Sequence, residues 1–229
     1  MIDHPVYTAR RPIHEPQFLP YRTALVVVDV QRFTADARFG FGKMAAAAGT
    51  LAQAESYYQR VRDLLPRLKK LQDACRSRRL EVLFTRIEAN TNDGRDLMPG
   101  YRLSGVIVPK GSPEAEILPE VAPIGDEIVI SKTSSGAFNS TALDQILRNL
   151  GIDRIIVAGV STHACVELTV RDADDRGYWV YIAADACTAA TERLHTDSLA
   201  RIRKGLILVK TTDELVELIR KAPVPKSTV

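Results

Sequence analysis

Three side chains of this sequence suit one reaction between them: Cys165 as a nucleophile, Asp29 as a proton acceptor and Lys132 as a fixed positive charge. Asp29 sits near the end of the apolar run ALVVVDV (24–30), and Lys132 follows EIVIS (127–131). Cys165 follows RIIVAG (154–159) after the short turn VSTHA. Taken singly each is ordinary, since a lone cysteine usually packs as a small hydrophobe. Together, at the ends of three strand-like runs, they match an activated thiol: the carboxylate takes the proton and the cation favours the thiolate. A helix starting near Cys165 adds a partial positive charge that acts in the same direction.

The elements that must bring these residues together are legible as patterns. Continuous β-branched runs at 24–30, 80–86, 127–131, 154–159, 178–184 and 206–210 read as buried parallel strands. Helical patterns separate most of them, at 56–75, 140–151, 163–176, 189–203 and 213–221. In the first, Val61, Leu64, Leu65, Leu68 and Leu71 share a face, and Pro66 is expected to kink it. In the second, Ser140 and Thr141 are capping candidates and Gly151 a stop. Alternation of this kind predicts an α/β fold: a three-layer α/β/α, Rossmann-like architecture around a mainly parallel six-stranded sheet. In such sheets the carboxyl edge of the strands is where ligands bind. Two stretches, 32–50 and 88–125, are longer than ordinary connections, as functional loops often are. The expected organisation is an N-terminal arm over 1–20 lying on the surface or on a partner subunit, one domain over 21–221, and a tail over 222–229.

Three segments carry a resemblance to a known family. TALVVVDVQRFT (23–34), ISKTSSGAFNSTALDQILRNLGI (130–152) and IIVAGVSTHACVELTVRDADDRGYWVYIAADAC (155–187) resemble the isochorismatase-like cysteine hydrolases. That family includes nicotinamidases and the N-carbamoylsarcosine, biuret and ureidoacrylate amidohydrolases. The resemblance implies catalytic roles for Asp29, Lys132 and Cys165, with Gln31 two residues beyond the aspartate. It also implies a cis peptide bond at Val160–Ser161 and an oxyanion hole made by the backbone amides of Ser161 and Cys165. The implied function is a cysteine amidohydrolase that cleaves the C–N bond of a small amide, carbamoyl or ureido compound through a thioester.

Two departures narrow this. No histidine occurs between His14 and His163, so the histidine-rich metal motif of nicotinamidases is missing, and neither metal nor cofactor is expected. His163 stands where relatives often carry Asn or Asp, and it is a candidate substrate contact. True isochorismatases, which cleave a vinyl ether, lack the nucleophilic cysteine, so a reaction of that type is the disfavoured alternative. A binding or assembly domain is another, and it gives no reason to keep all three catalytic residues.

Phe33 and Phe138 are candidate pocket walls, with core packing as the equal alternative. Glu88, Tyr101 and Arg102 are expected as solvated loop residues and His195 as a surface histidine. Cys187 is expected to be packed, Cys75 to lie at an exposed helix end, and Asp185 to serve as a helix cap or site support.

The 229 residues carry 31 basic and 28 acidic side chains in short clusters, so no dense basic face for nucleic acid is expected. The opening MIDHPVYTARRPIHEP has no apolar core and no run reaches membrane-spanning length, so neither a leader nor a membrane partner is expected. Three cysteines do not make a disulfide framework, and a cytoplasmic location with reduced thiols follows. The remaining expected partners are a small amide or ureido substrate and further copies of the chain, as a dimer or tetramer.

Overall fold

The computed structural model describes residues 14–202 and 206–223. Six strands form one sheet: β1 Thr23–Val28, β2 Glu81–Ile87, β3 Ile128–Lys132, β4 Arg154–Val160, β5 Trp179–Thr188 and β6 Ile207–Lys210. Their order is β3-β2-β1-β4-β5-β6, and every pairing is parallel. The α/β, Rossmann-like expectation therefore holds. The order reverses between β1 and β4, the crevice where ligands sit in folds of this kind.

The α-helices are α1 Arg32–Ala35, α2 Gly40–Ala47, α3 Leu51–Ser77, α4 Pro99–Leu103, α5 Leu143–Asn149, α6 Glu167–Asp175, α7 Glu192–Ile202 and α8 Thr212–Lys221. Alternation along β1 explains the two cores. Leu25 and Val27 face α3 and α8, together with Leu64, Leu68, Leu215 and Ile219. Ala24, Val26 and Val28 face α5, α6 and α7, together with Leu143, Leu147, Val170 and Ile202. Both faces are covered, which is why the strands read as continuous apolar runs.

Several boundaries differ from expectation. Residues 32–50 are not an open loop, since α1 and α2 occupy most of them and α3 starts at Leu51. The 27-residue α3 runs through Pro66 on its exposed side, where water can satisfy the carbonyl that proline leaves free. Its buried stripe continues past Leu71 to Cys75, which is fully buried. The expected exposed position for Cys75 is thus corrected by one more turn of the same helical period.

In the 88–125 connection Pro99, Pro113 and Pro119 each open a short helical turn, the position proline tolerates best. A satellite core that includes Phe33, Ile87, Leu97, Val106 and Val108 packs beneath it. β5 runs to Thr188 after a register shift against β4, so Asp185 lies within the strand rather than at its end. Its carboxylate accepts the amide (2.7 Å) and the hydroxyl (2.8 Å) of Thr212, capping α8 and not supporting the site. At the other end of the chain, Phe18 of the expected arm is buried edge-on against Tyr181. Residues 1–13 of that arm and 224–229 of the tail lie outside the described residues.

Candidate active site

Asp29 stands immediately beyond β1 and is fully buried. Its φ of +54° is left-handed, a conformation uncommon for a residue with a side chain but tolerated by aspartate. Surrounding bonds hold it there. Its amide donates to Thr85 O at 3.0 Å, its Oδ1 accepts from Thr85 Oγ1 at 2.9 Å, and its carbonyl accepts from Thr34 Oγ1. Gln31 ties the neighbouring loops together. Its Oε1 accepts Ile87 N at 2.6 Å, and its Nε2 donates to Ile87 O at 2.9 Å and Glu114 O at 3.1 Å.

Lys132 is the last residue of β3 and is fully buried. Its Nζ lies 2.9 Å from Asp29 Oδ2, 2.8 Å from Ser134 O and 3.6 Å from Cys165 Sγ. All three ammonium protons therefore have an acceptor in reach. Oδ2 has no other partner besides this ion pair, which leaves it able to take a proton. Burial works against the Lys132 charge, but Asp29 and Cys165 outweigh it and its pKa is raised.

Cys165 lies on a wide π-type turn, Thr162–Val166, that runs straight into α6. The Val160–Ser161 peptide preceding the turn is cis. The turn's bonds to the Ser161 carbonyl come from Ala164 (3.0 Å) and Val166 (3.2 Å). Gly159, with φ +123°, permits this exit from β4, because a Cβ there would stand 2.1 Å from Val28 O. Thr169 locks the far side by donating to Cys165 O at 2.7 Å.

The thiol is pushed up to about 12, first by burial and then by the Asp29 charge, with Lys132 opposing. Burial and the Asp29 charge thus oppose the thiolate, while Lys132 acts in the direction expected of the cation.

A cavity of about 550 Å³ opens above Cys165. His163 and Ser161 are among the residues that line it. Burial pushes the His163 imidazole below its ordinary range, and its Nδ1 is buried without a hydrogen-bond partner. Phe33 and Phe138 do not line it. Phe33 belongs to the satellite core, 5.0 Å from the Phe41 ring, and Phe138 packs 5.8 Å from Tyr178 beneath α6. The aromatic walls are instead Phe41, Tyr57, Tyr58 and Tyr101.

Tyr101 is not a solvated loop residue. Its hydroxyl lies 3.7 Å from Cys165 Sγ and accepts from Ser135 Oγ at 2.9 Å. Tyr57 and Tyr58 were hidden in the polar start of α3, where an adjacent aromatic pair was the available signal. Glu88 is also buried: its carboxylate accepts Gly111 N at 2.9 Å and Ser131 Oγ, and pairs with Arg86 at 2.6 Å. Arg102 remains exposed, with its Nε on Leu97 O. Half-buried His195 shares a 2.8 Å hydrogen bond with Thr162 on the nucleophile turn. Cys187 is buried, as expected.

Among the described residues no three of His, Cys, Asp and Glu are grouped so as to hold a metal ion. Nor is any helix among them long and apolar enough to cross a membrane.

A Rossmann-like sheet with a buried thiol and an Asp–Lys pair at its carboxyl edge is an arrangement suited to hydrolases. The Isochorismatase domain model matches residues 23–214, and the chain belongs to that family of hydrolases. Ureidoacrylate amidohydrolase RutB of Acinetobacter baylyi is 26% identical over 217 residues, covering 87% of this chain and 84% of its own. Nicotinamidase 3 of Arabidopsis thaliana is 30% identical over 145 residues, 62% of this chain and 73% of its own. The crystal structure of a cysteine hydrolase from Pseudomonas syringae pv. phaseolicola superposes with a TM-score of 0.77 at 27% identity, covering 93% of this chain and 99% of that one.

Proposed function

We propose that this hydrolase cleaves the C–N bond of a small amide, carbamoyl or ureido compound through a thioester on Cys165. The observation that carries the reading is the placement of Cys165 Sγ at 3.6 Å from Lys132 Nζ, which itself pairs with Asp29. Relatives whose names denote amide or ureido hydrolysis support the bond type.

Because burial favours the thiol, proton transfer accompanies attack. Asp29 takes the thiol proton as the sulfur bonds to the carbonyl carbon and the carbonyl π pair moves onto oxygen. The amides of Ser161 and Cys165 are the proposed donors to that oxyanion. Collapse breaks the C–N bond, and Asp29 returns the proton to the leaving nitrogen. Asp29 then takes a proton from water, whose oxygen attacks the thioester carbon. The C–S bond breaks, the sulfur regains a proton and the acid departs. Lys132 offsets the Asp29 charge whenever that group is ionised. No step requires a cofactor.

The proposal includes a cytoplasmic location, which fits three buried free thiols. It also includes a homo-oligomer, supported by exposed Phe41, Met44, Leu103 and Ile107.

The test is ammonia release from a panel of carboxamides, carbamoyl and ureido compounds, with mass spectrometry of Cys165 during turnover. Cys165→Ala is expected to lose turnover while keeping the wild-type melting curve. Wild-type rates from that variant, or an acyl adduct on Cys75 or Cys187, would overturn the assignment.

A further inference from the structure

Resting on the hydrolase reading above, we propose that the cavity over Cys165 selects an uncharged amide or ureide bearing an aromatic ring, and excludes analogues that carry a carboxylate. Two observations carry this: the walls are aromatic, and among the described residues that line the cavity none bears a full charge. Phe41, Tyr57, Tyr58 and Tyr101 supply ring faces and edges against which a planar substituent packs favourably. A space of about 550 Å³ is far more than a bare acetamide or urea fills, and lies in the range that encloses drug-sized ligands.

Several cations of the surrounding elements are paired away from the cavity wall. Lys132 already serves Asp29, Ser134 O and Cys165. Arg60, one turn beyond Tyr57, donates through one terminal nitrogen to Ala189 O and Ala190 O at 3.2 and 2.6 Å, has no carboxylate partner and is not on the cavity wall. Lys43 pairs with Glu114 at 3.1 Å, Arg86 with Glu88 at 2.6 Å and Arg201 with Glu167 at 3.0 Å. His163, on the wall, is held towards its neutral form by burial.

A carboxylate brought into this cavity would lose hydration with no cationic side chain on the wall to replace it, an unfavourable exchange. A neutral ring loses little hydration and gains contact area.

The test uses covalent probes on the full chain, so that it does not depend on finding a substrate. Rates of Cys165 alkylation by 2-iodo-N-phenylacetamide, iodoacetamide and iodoacetate are measured by mass spectrometry and divided by the rates of the same reagents with free cysteine. The neutral aryl reagent is expected to exceed iodoacetate by at least about tenfold, and to exceed iodoacetamide as well. Equal or faster normalised labelling by iodoacetate overturns the charge selection, and equal labelling by the two amides overturns the aromatic part.

Gln53 is exposed and lines the same cavity, so Gln53→Arg adds a cation without disturbing the core. It is expected to narrow the gap to iodoacetate by at least about threefold. An unchanged gap would show that the selection does not arise in this cavity and overturn the inference. Ammonia release from benzamide and phenylurea against N-carbamoylglycine separates the two readings. If no compound releases ammonia while the labelling order holds, the hydrolase assignment fails and the cavity's selectivity stands. If N-carbamoylglycine is the faster substrate, the selectivity fails and the hydrolase assignment stands.

Discussion

Tyr101, 64 residues before Cys165 in the chain, brings its hydroxyl to 3.7 Å from Sγ of that cysteine. A residue of the short helix α4 thereby becomes a neighbour of the thiol, beside the buried Asp29–Lys132 pair. Tyr101 works against the burial that raises the thiol, since its hydrogen bond lowers the Cys165 pKa. Tyr101→Phe keeps the ring and removes that bond. The expected result is about three- to tenfold slower alkylation of Cys165 at fixed pH, the size of one neutral hydrogen bond, with an unchanged melting curve. Unaltered alkylation would mean that the hydroxyl does not act on the thiol.

Lys132 also lowers the thiol pKa, by charge. Lys132→Met removes the charge and should move the pH profile of Cys165 alkylation upward. It also leaves Asp29 buried without its counter-ion, a loss of about 3–5 kcal/mol for a pair of this kind. Adding Asp29→Asn should recover part of that loss, so the double variant is expected to be more stable than the sum of the singles predicts. Strict additivity in urea melts would show that the two groups do not interact energetically.

Alkaline pH should destabilise the fold. Burial takes Cys165 and Cys187 to about 12 from an ordinary value of 9.0, and Tyr181 to about 12 from 10.0. These acids stay neutral in the native state and ionise sooner once unfolded. Their contribution is therefore complete below about pH 9 and is lost as pH rises through about 12. Melting temperature should be level between about pH 7 and 8.5 and fall beyond about 9. A rise across that upper interval would contradict the assignment.

Gln31→Leu should weaken the molecule at a distance from the thiol. The change strands Ile87 N, Ile87 O and Glu114 O, all bonded to the amide side chain. About 2–4 kcal/mol is expected, from two or more buried polar groups left unpaired, read from urea unfolding. Ile87 lines the cavity, so Cys165 labelling by the aryl reagent should change as well. A loss under about 0.5 kcal/mol would show that water replaces the amide.

Much of this was legible in the sequence because burial on both faces leaves a pattern that needs no three-dimensional information. The β-branched runs marked all six strands, and the residues beyond them marked Asp29, Lys132 and Cys165. Less legible were features decided by which surface a side chain meets. Phe33 and Phe138 follow Asp29 and Lys132 closely in sequence, yet the chain turns each into a core, while Tyr57, from a helix that looked merely amphipathic, faces the cavity. The extent to which burial opposes ionisation of Cys165 could not be read either, because it depends on how much water the fold removes from the sulfur.

The position of β2 between β1 and β3 has a consequence for the identity of the cation. Lys132 on β3 must reach Asp29 across the full width of β2, two strand spacings of about 4.8 Å each. The four-carbon stem of lysine spans part of that gap and ends in a compact point charge, while Asp29 leans back over Thr85 to meet it. The sheet thus acts as a ruler: it admits a long slender side chain with a small head and rejects a shorter amine. Lengthening chemistry follows from this: a cysteine placed at 132 and alkylated with bromoethylamine would restore the reach that the unmodified cysteine lacks.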